Sequence, residues 1–151
     1  MAAASLTELA NLVGSTFGPS PYLEIDQARI DAFADATLDH QWIHVDPARA
    51  AGGPFGKTVA HGYLTLSLLV SMVSSMGLFP EGLGLVVNYG LDKLRFPAPV
   101  PVGSRVRATA TLAKLEPKGE GRMLATLACR VEVEGSGTPA LAADVLYLLV
   151  A

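Results

Sequence analysis

"TVAHGYLTLSLLVSMVSSMGLFP", residues 58–80, contains no Asp, Glu, Lys or Arg. Whether it spans a membrane or lies buried in a folded domain decides how the rest of the chain is read. A spanning helix needs about 20 mainly apolar residues. This stretch carries Thr58, His61, Thr65, Ser67, Ser71, Ser74 and Ser75 and ends on the breakers Gly77 and Pro80. It therefore reads as a helix over roughly 61–76, buried on all sides, with Leu66, Leu69 and Val73 as a core stripe. Ser67 and Ser71 read as hydroxyls bonding back into that helix, because no nucleophile-elbow pattern surrounds them.

Downstream, the hydrophobic period changes from helical to two-residue. Residues 85–96, 104–116, 122–134 and 139–150 read as strands, and "PKGEG" at 117–121 as a hairpin turn. In the third strand Met123, Ala125, Leu127, Cys129, Val131 and Val133 alternate onto one face, so the lone cysteine is a core residue rather than a nucleophile. Upstream, Ser5 and Glu8 have capping-box spacing and Gly14 is a stop signal for a first helix. An extended piece near Tyr22–Ile25 precedes a second helix capped by Asp26, with Ile30, Phe33 and Ala34 on one face. Asp46-Pro47 reads as a cap and first position of a short turn through Ala51, followed by the loop "AGGPFGKTVAHG". The order is small helices, one long apolar helix, then long antiparallel strands, which is an α+β pattern.

The 151 residues suit one domain spanning 1–151, with no repeat or linker dividing them. Half of them are hydrophobic and 17% are charged, so part of the surface is expected to be apolar and covered by a second copy. The strand at 140–150, apolar on both faces, points the same way. A net charge of −3 with no basic stripe argues against nucleic acid. A single cysteine allows no intrachain disulfide, and "MAAASLTELA" lacks the positive region of a secretory signal, so a cytoplasmic protein is expected.

The chemistry concentrates in "DATLDHQWIH", residues 35–44. All three histidines, His40, His44 and His61, lie within 22 residues, two of them near carboxylates. Histidine exchanges protons near neutral pH, and a neighbouring carboxylate can orient it or share the task. A metal site is the rival reading. A zinc motif of the His-x-x-x-His kind, however, wants a base such as Glu after its first histidine on a helical turn, and Gln41 stands there. His61 reads as a buried residue steadying the helix start rather than as a base. Trp42 either lines a substrate tunnel or covers the loop. Lys93, Arg95, Arg105 and Arg107 read equally as a solvated strand face or as phosphate contacts.

The run "ADATLDHQWIHVDPARAAGGPFGKTVAHGYLTLSLL", residues 34–69, resembles the MaoC-like (R)-specific enoyl-CoA hydratases, especially their nodulation-protein-N-like branch. "NYGLDKLRFPAPVPVGSRVR", residues 88–107, is also similar to that family. The resemblance implies a hot-dog fold, with a curved antiparallel sheet wrapping the long helix. It also implies a homodimer, trans-2-enoyl or 3-hydroxyacyl thioesters of coenzyme A as substrates, and no cofactor or metal. It assigns catalytic roles to Asp39 and His44 and an oxyanion-binding backbone N–H to Gly62. The common family pattern has glycine where this chain has Leu38, and Asn-Pro where it has Gln41-Trp42. Glycine before the aspartate implies a positive φ or close packing, so Leu38→Gly is expected to alter substrate range or turnover. The competing functional expectations are a hot-dog acyl-CoA thioesterase, distinguished by release of free thiol, and a silent acyl-thioester binding protein, which would bind enoyl-CoA without consuming it.

Overall fold

The computed structural model describes residues 5–151. Helix α1, Leu6–Ala10, begins where the Ser5 hydroxyl accepts the Glu8 amide at 3.1 Å. Two short strands, β1 (Thr16–Phe17) and β2 (Leu23–Ile25), lead to α2, Gln27–Thr37. Asp26 caps α2 by accepting the Arg29 amide at 2.8 Å, and Ile30 and Ala34 are fully buried on its inner face. Single-turn α3 (Trp42–Val45) and α4 (Pro47–Ala51) follow, the latter capped by Asp46 with Pro47 in its first turn. β1 and α3 are additions to the sequence expectation. Each is too short to carry a period of its own, and tertiary pairing or packing holds it.

Helix α5 runs Gly62–Ser74, followed by β3 (Leu85–Arg95), β4 (Ser104–Pro117), β5 (Arg122–Val133) and β6 (Leu141–Val150). The strands form one antiparallel sheet in the order β1-β4-β5-β6-β3, with β2 also on β4. Pro117, expected in the turn, instead closes β4 opposite Met123. Register alternation puts Val106, Ala108, Ala110 and Leu112 of β4 on one face with Ala125, Leu127, Cys129 and Val131 of β5, all buried. Leu141, Val145, Tyr147 and Leu149 of β6 extend that face. Leu64, Leu69, Met72 and Val73 of α5 pack into it, so the sheet holds α5 as the hot-dog arrangement requires.

The expectation that the long helix is buried on all sides needs correction. Tyr63 and Val70 stand 65% and 41% exposed on the face of α5 turned from β4 and β5. Beside that face β3 is an edge strand, and Leu85, Val86, Tyr89 and Leu91 are exposed on it. No helix of the described residues is long and apolar enough to cross a membrane.

Candidate active site

Three segments converge at the N-terminus of α5. Helix α2 ends at Leu38, whose φ of 63° and ψ of 18° put it in the left-handed region that normally selects glycine at this capping position. That reversal swings Asp39 out of the helix path and lets the chain re-enter as α3, which carries His44 inward to 7% exposure. The loop at 58–61 then passes under His44 into α5.

His44 Nδ1 lies 2.7 Å from the carbonyl oxygen of Val59. A carbonyl only accepts, so Nδ1 carries the proton and Nε2 carries the lone pair. Burial lowers the pKa of His44 against the raising effect of that hydrogen bond, and the ring is therefore neutral near pH 7. The same logic applies to His61: its Nε2 donates to the backbone oxygen of Asp39 at 2.9 Å. His61 is 3% exposed and its Nδ1 is buried with no hydrogen-bond partner among the described residues. The two imidazoles stack at 3.8 Å between centroids with 23° between planes, and Phe33 of α2 packs 4.9 Å from His61. His61 thus ties the Asp39 loop to the helix start, the role expected of it from the sequence.

Side-chain ligand atoms of Asp39, His44 and His61 lie within 4.8 Å of one another. The Asp39 carboxylate is half exposed, 3.9 Å from His61 Nε2. This cluster is the set a divalent metal would use, yet its geometry does not fit one. Imidazole lone pairs lie in the ring plane, and two rings stacked nearly parallel direct theirs side by side rather than at a common point. The arrangement instead suits proton transfer, with a carboxylate and a neutral imidazole lone pair around one small space.

Gly62 is the first residue of α5, where backbone N–H groups have no intrahelical acceptor and the helix dipole is positive. A Cβ at this position would lie 3.2 Å from three carbons of the Phe96 ring, so any side chain here would press on that ring and glycine lets it lie close over the backbone. One cavity of about 420 Å³ is lined by Asp39, His44, His61 and Gly62 together with Phe33, Thr37, Tyr63 and Phe96. The structure therefore brings together all three residues singled out from the sequence.

It also adds two that the sequence did not suggest. The Gln27 amide donates to the backbone oxygen of His44 at 2.7 Å and to Asp31 at 2.8 Å, and its oxygen accepts the Thr58 hydroxyl at 2.6 Å. Gln27 thereby pins α3 to the loop under it. No spacing signal links residues 17 and 31 positions apart. Trp42, by contrast, covers the loop: its ring lies against Gly53 and under the Arg49 guanidinium at 4.4 Å. Arg105 and Arg107 pair with Glu134 and Glu132 and stack on Tyr22, and Lys93 lies 3.5 Å from Asp144. Burial pushes the Cys129 thiol up to about 12, in keeping with a core residue.

A family model described as "MaoC like domain" matches residues 8–135. The 3-hydroxyacyl-thioester dehydratase Z of Mycobacterium tuberculosis is 52% identical over 97% of this chain and 97% of its own length. Nodulation protein N of Rhizobium leguminosarum bv. viciae is 45% identical over 96% of this chain and 91% of its own. Among solved structures, the (R)-hydratase from A. caviae involved in PHA biosynthesis superposes with a TM-score of 0.73 at 29% identity, covering 89% of this chain and 94% of that one.

Proposed function

The chain belongs to the MaoC-like domain family, and from that membership and the geometry above we propose that Asp39, His44 and Gly62 are its catalytic apparatus. The protein is a hydro-lyase, acting between enoyl and 3-hydroxyacyl thioesters, the reaction for which its relatives at 52% and 33% identity are named. The observation that carries the assignment is the tautomer of His44: its Nδ1–H is spent on Val59, which leaves Nε2 as the free lone pair of a ring that lines one cavity with Asp39 and the start of α5.

In the hydration direction a water sits between Asp39 and His44. The pair takes one proton from it as its oxygen bonds to C3, and the C2–C3 electrons move toward the thioester carbonyl. The Gly62 N–H receives the negative charge that develops on the carbonyl oxygen, where a donor of this kind is typically worth about 10² to 10³ in rate. A proton returned to C2 completes the addition, and dehydration runs the same steps backward. The (R) configuration of the product and coenzyme A as carrier belong to the same proposal, supported by the name of the Aeromonas caviae relative, an (R)-specific enoyl-CoA hydratase.

We further assign a homodimer formed through β3. An end strand with exposed Val86, Tyr89 and Leu91, alongside the open face of α5 at Tyr63 and Val70, presents both an unpaired backbone edge and an apolar patch to a second copy. Residues 1–151 are assigned to one domain, and the lone buried Cys129 fits a reducing cytoplasm. The decisive experiment incubates the purified protein with crotonyl-CoA and follows loss of the enoyl absorbance, release of thiol and product chirality together. Formation of (R)-3-hydroxybutyryl-CoA without thiol is the expected result. Thiol release would identify a thioesterase, and unchanged enoyl absorbance on a bound ligand would identify a silent binder.

A further inference from the structure

The cavity that holds Asp39 is not the only one at His44. A second, of about 340 Å³, lies against the same histidine and is walled by Ile43, Phe55, Val59, Pro97, Val100 and Ala140. The two cavities share three wall residues, His44, Gly62 and Phe96. Of these, His44 is fixed on the Val59 carbonyl and Gly62 has no side chain. Phe96 is the one whose side chain can separate or join the two spaces. Its ring lies over Gly62, with three ring carbons at 3.2 Å from the site of a Cβ, and it meets Tyr63 edge-on at 6.0 Å. It is 39% exposed. Pro97 confines the Phe96 backbone to extended angles, so the ring is free to move mainly by side-chain rotation.

We infer that Phe96 sets the acyl-chain specificity of the enzyme, by standing as a partition between the reaction cavity and the apolar cavity beyond it. The inference rests on the catalytic reading of Asp39, His44 and Gly62. With the thioester carbonyl at the Gly62 N–H and C2–C3 at the dyad, the reacting atoms occupy the cavity that contains the carboxylate. The hydrocarbon beyond C3 needs an apolar wall, and apart from His44 the second cavity has no titratable residue in its lining. The Phe96 ring in place shortens the space open to the acyl tail. Removing the ring joins the two cavities, and enlarging it closes them further.

The test measures affinity of saturated acyl-CoAs, which bind without reacting, for the wild type, Phe96→Ala and Phe96→Trp by calorimetry. Each additional buried methylene contributes about four-fold in affinity. Room for two or three more carbons should therefore shift the dodecanoyl-CoA to butyryl-CoA preference of Phe96→Ala toward the long chain by about 10-fold or more. Phe96→Trp should shift it the other way. General destabilisation cannot move the preference in opposite directions, and if Phe96→Ala does not fold, Phe96→Leu with Phe96→Trp makes the same comparison. Equal weakening of both ligands, or an unchanged preference in both variants, overturns the inference. Crotonyl-CoA turnover by the wild type is read separately. A protein that binds with a Phe96-dependent length preference but does not hydrate would remove the dyad and leave the partition, whereas hydration with an unaltered preference would remove the partition alone.

Discussion

At the residue scale, Asp39 and His44 are expected to act as one device. Both border the same small space, so a proton passing through them needs both, and losses on removing either should not add. Asp39→Asn and His44→Gln are each expected to lower kcat by about 10² to 10⁴, with the double variant scarcely below the poorer single one, as measured by a double-mutant cycle in kcat. Additive losses would mean independent roles. His44 makes a second, pH-dependent prediction. Its folded pKa is depressed by burial below the ordinary 6.5. The acid limb of kcat/KM should therefore lie below pH 6.5, because the neutral base survives to lower pH. Stability should be unaffected by this group above pH 6.5 and should fall as pH drops from there toward the folded pKa, since the unfolded chain binds the proton first. His44→Gln should flatten that fall in urea titrations across the same window. Leu38 is the third case. Its left-handed φ of 63° costs a non-glycine residue roughly 1–2 kcal/mol, and its side chain is 82% exposed, with little contact to lose. Leu38→Gly should therefore raise the urea midpoint, by about 1 kcal/mol in stability, at unchanged slope. Because the turn beside Asp39 already has the glycine-like conformation, the structure turns the expected effect from turnover toward stability.

At the element scale, the site depends on how α2, α3 and the loop before α5 are held together. Gln27, at the start of α2, bonds the His44 carbonyl and the Thr58 hydroxyl, and Thr58 is 1% exposed. Gln27→Leu leaves two buried polar groups without their partner, at about 1–3 kcal/mol each in stability. It also loosens α3, and small misplacements of catalytic groups are costly. The expected kinetic signature is a kcat lowered by about 10-fold or more with KM little changed, because Gln27 lines neither cavity at His44. A rise in KM as large as the fall in kcat would show that the loosening of α3 displaces Ile43, which walls the second cavity, as much as His44. Neither the single turn of α3 nor the Gln27 bridge was legible in the sequence. Four residues are too few for a helical period, and a hydrogen bond from side chain to backbone across 17 positions has no sequence signature.

At the scale of the whole molecule, the apolar composition is explained only in part by the core of one chain. The inner faces of β4, β5 and β6 are buried against α5, but the exposed run on β3 and the open side of α5 remain. Dimerisation through β3 would cover both and continue the sheet across the edge. Sedimentation at micromolar concentration should give a dimer, and Val86→Lys with Tyr89→Lys should shift it to monomer, because charges at a buried interface are strongly unfavourable. A wild-type monomer under those conditions would rule the assignment out.

The sequence alone determined what depends on local periodicity and chemistry. The four strands, expected at 85–96, 104–116, 122–134 and 139–150, were legible to within a few residues, most clearly the third, where a half-buried sheet imposes two-residue alternation, and Asp26, Asp46 and Ser5 were legible because caps act within three residues. The candidates Asp39, His44 and Gly62 came from the resemblance of residues 34–69 to a known family, and the fold places all three on one cavity. Tertiary structure alone decided the rest. The tautomer of His44 follows from a carbonyl 15 residues away, the loop role of His61 from the Asp39 backbone, and the partition of two cavities from Phe96 lying 34 residues beyond the glycine it covers. Each is a contact between segments with no common period, so it exists only once the sheet has closed around α5.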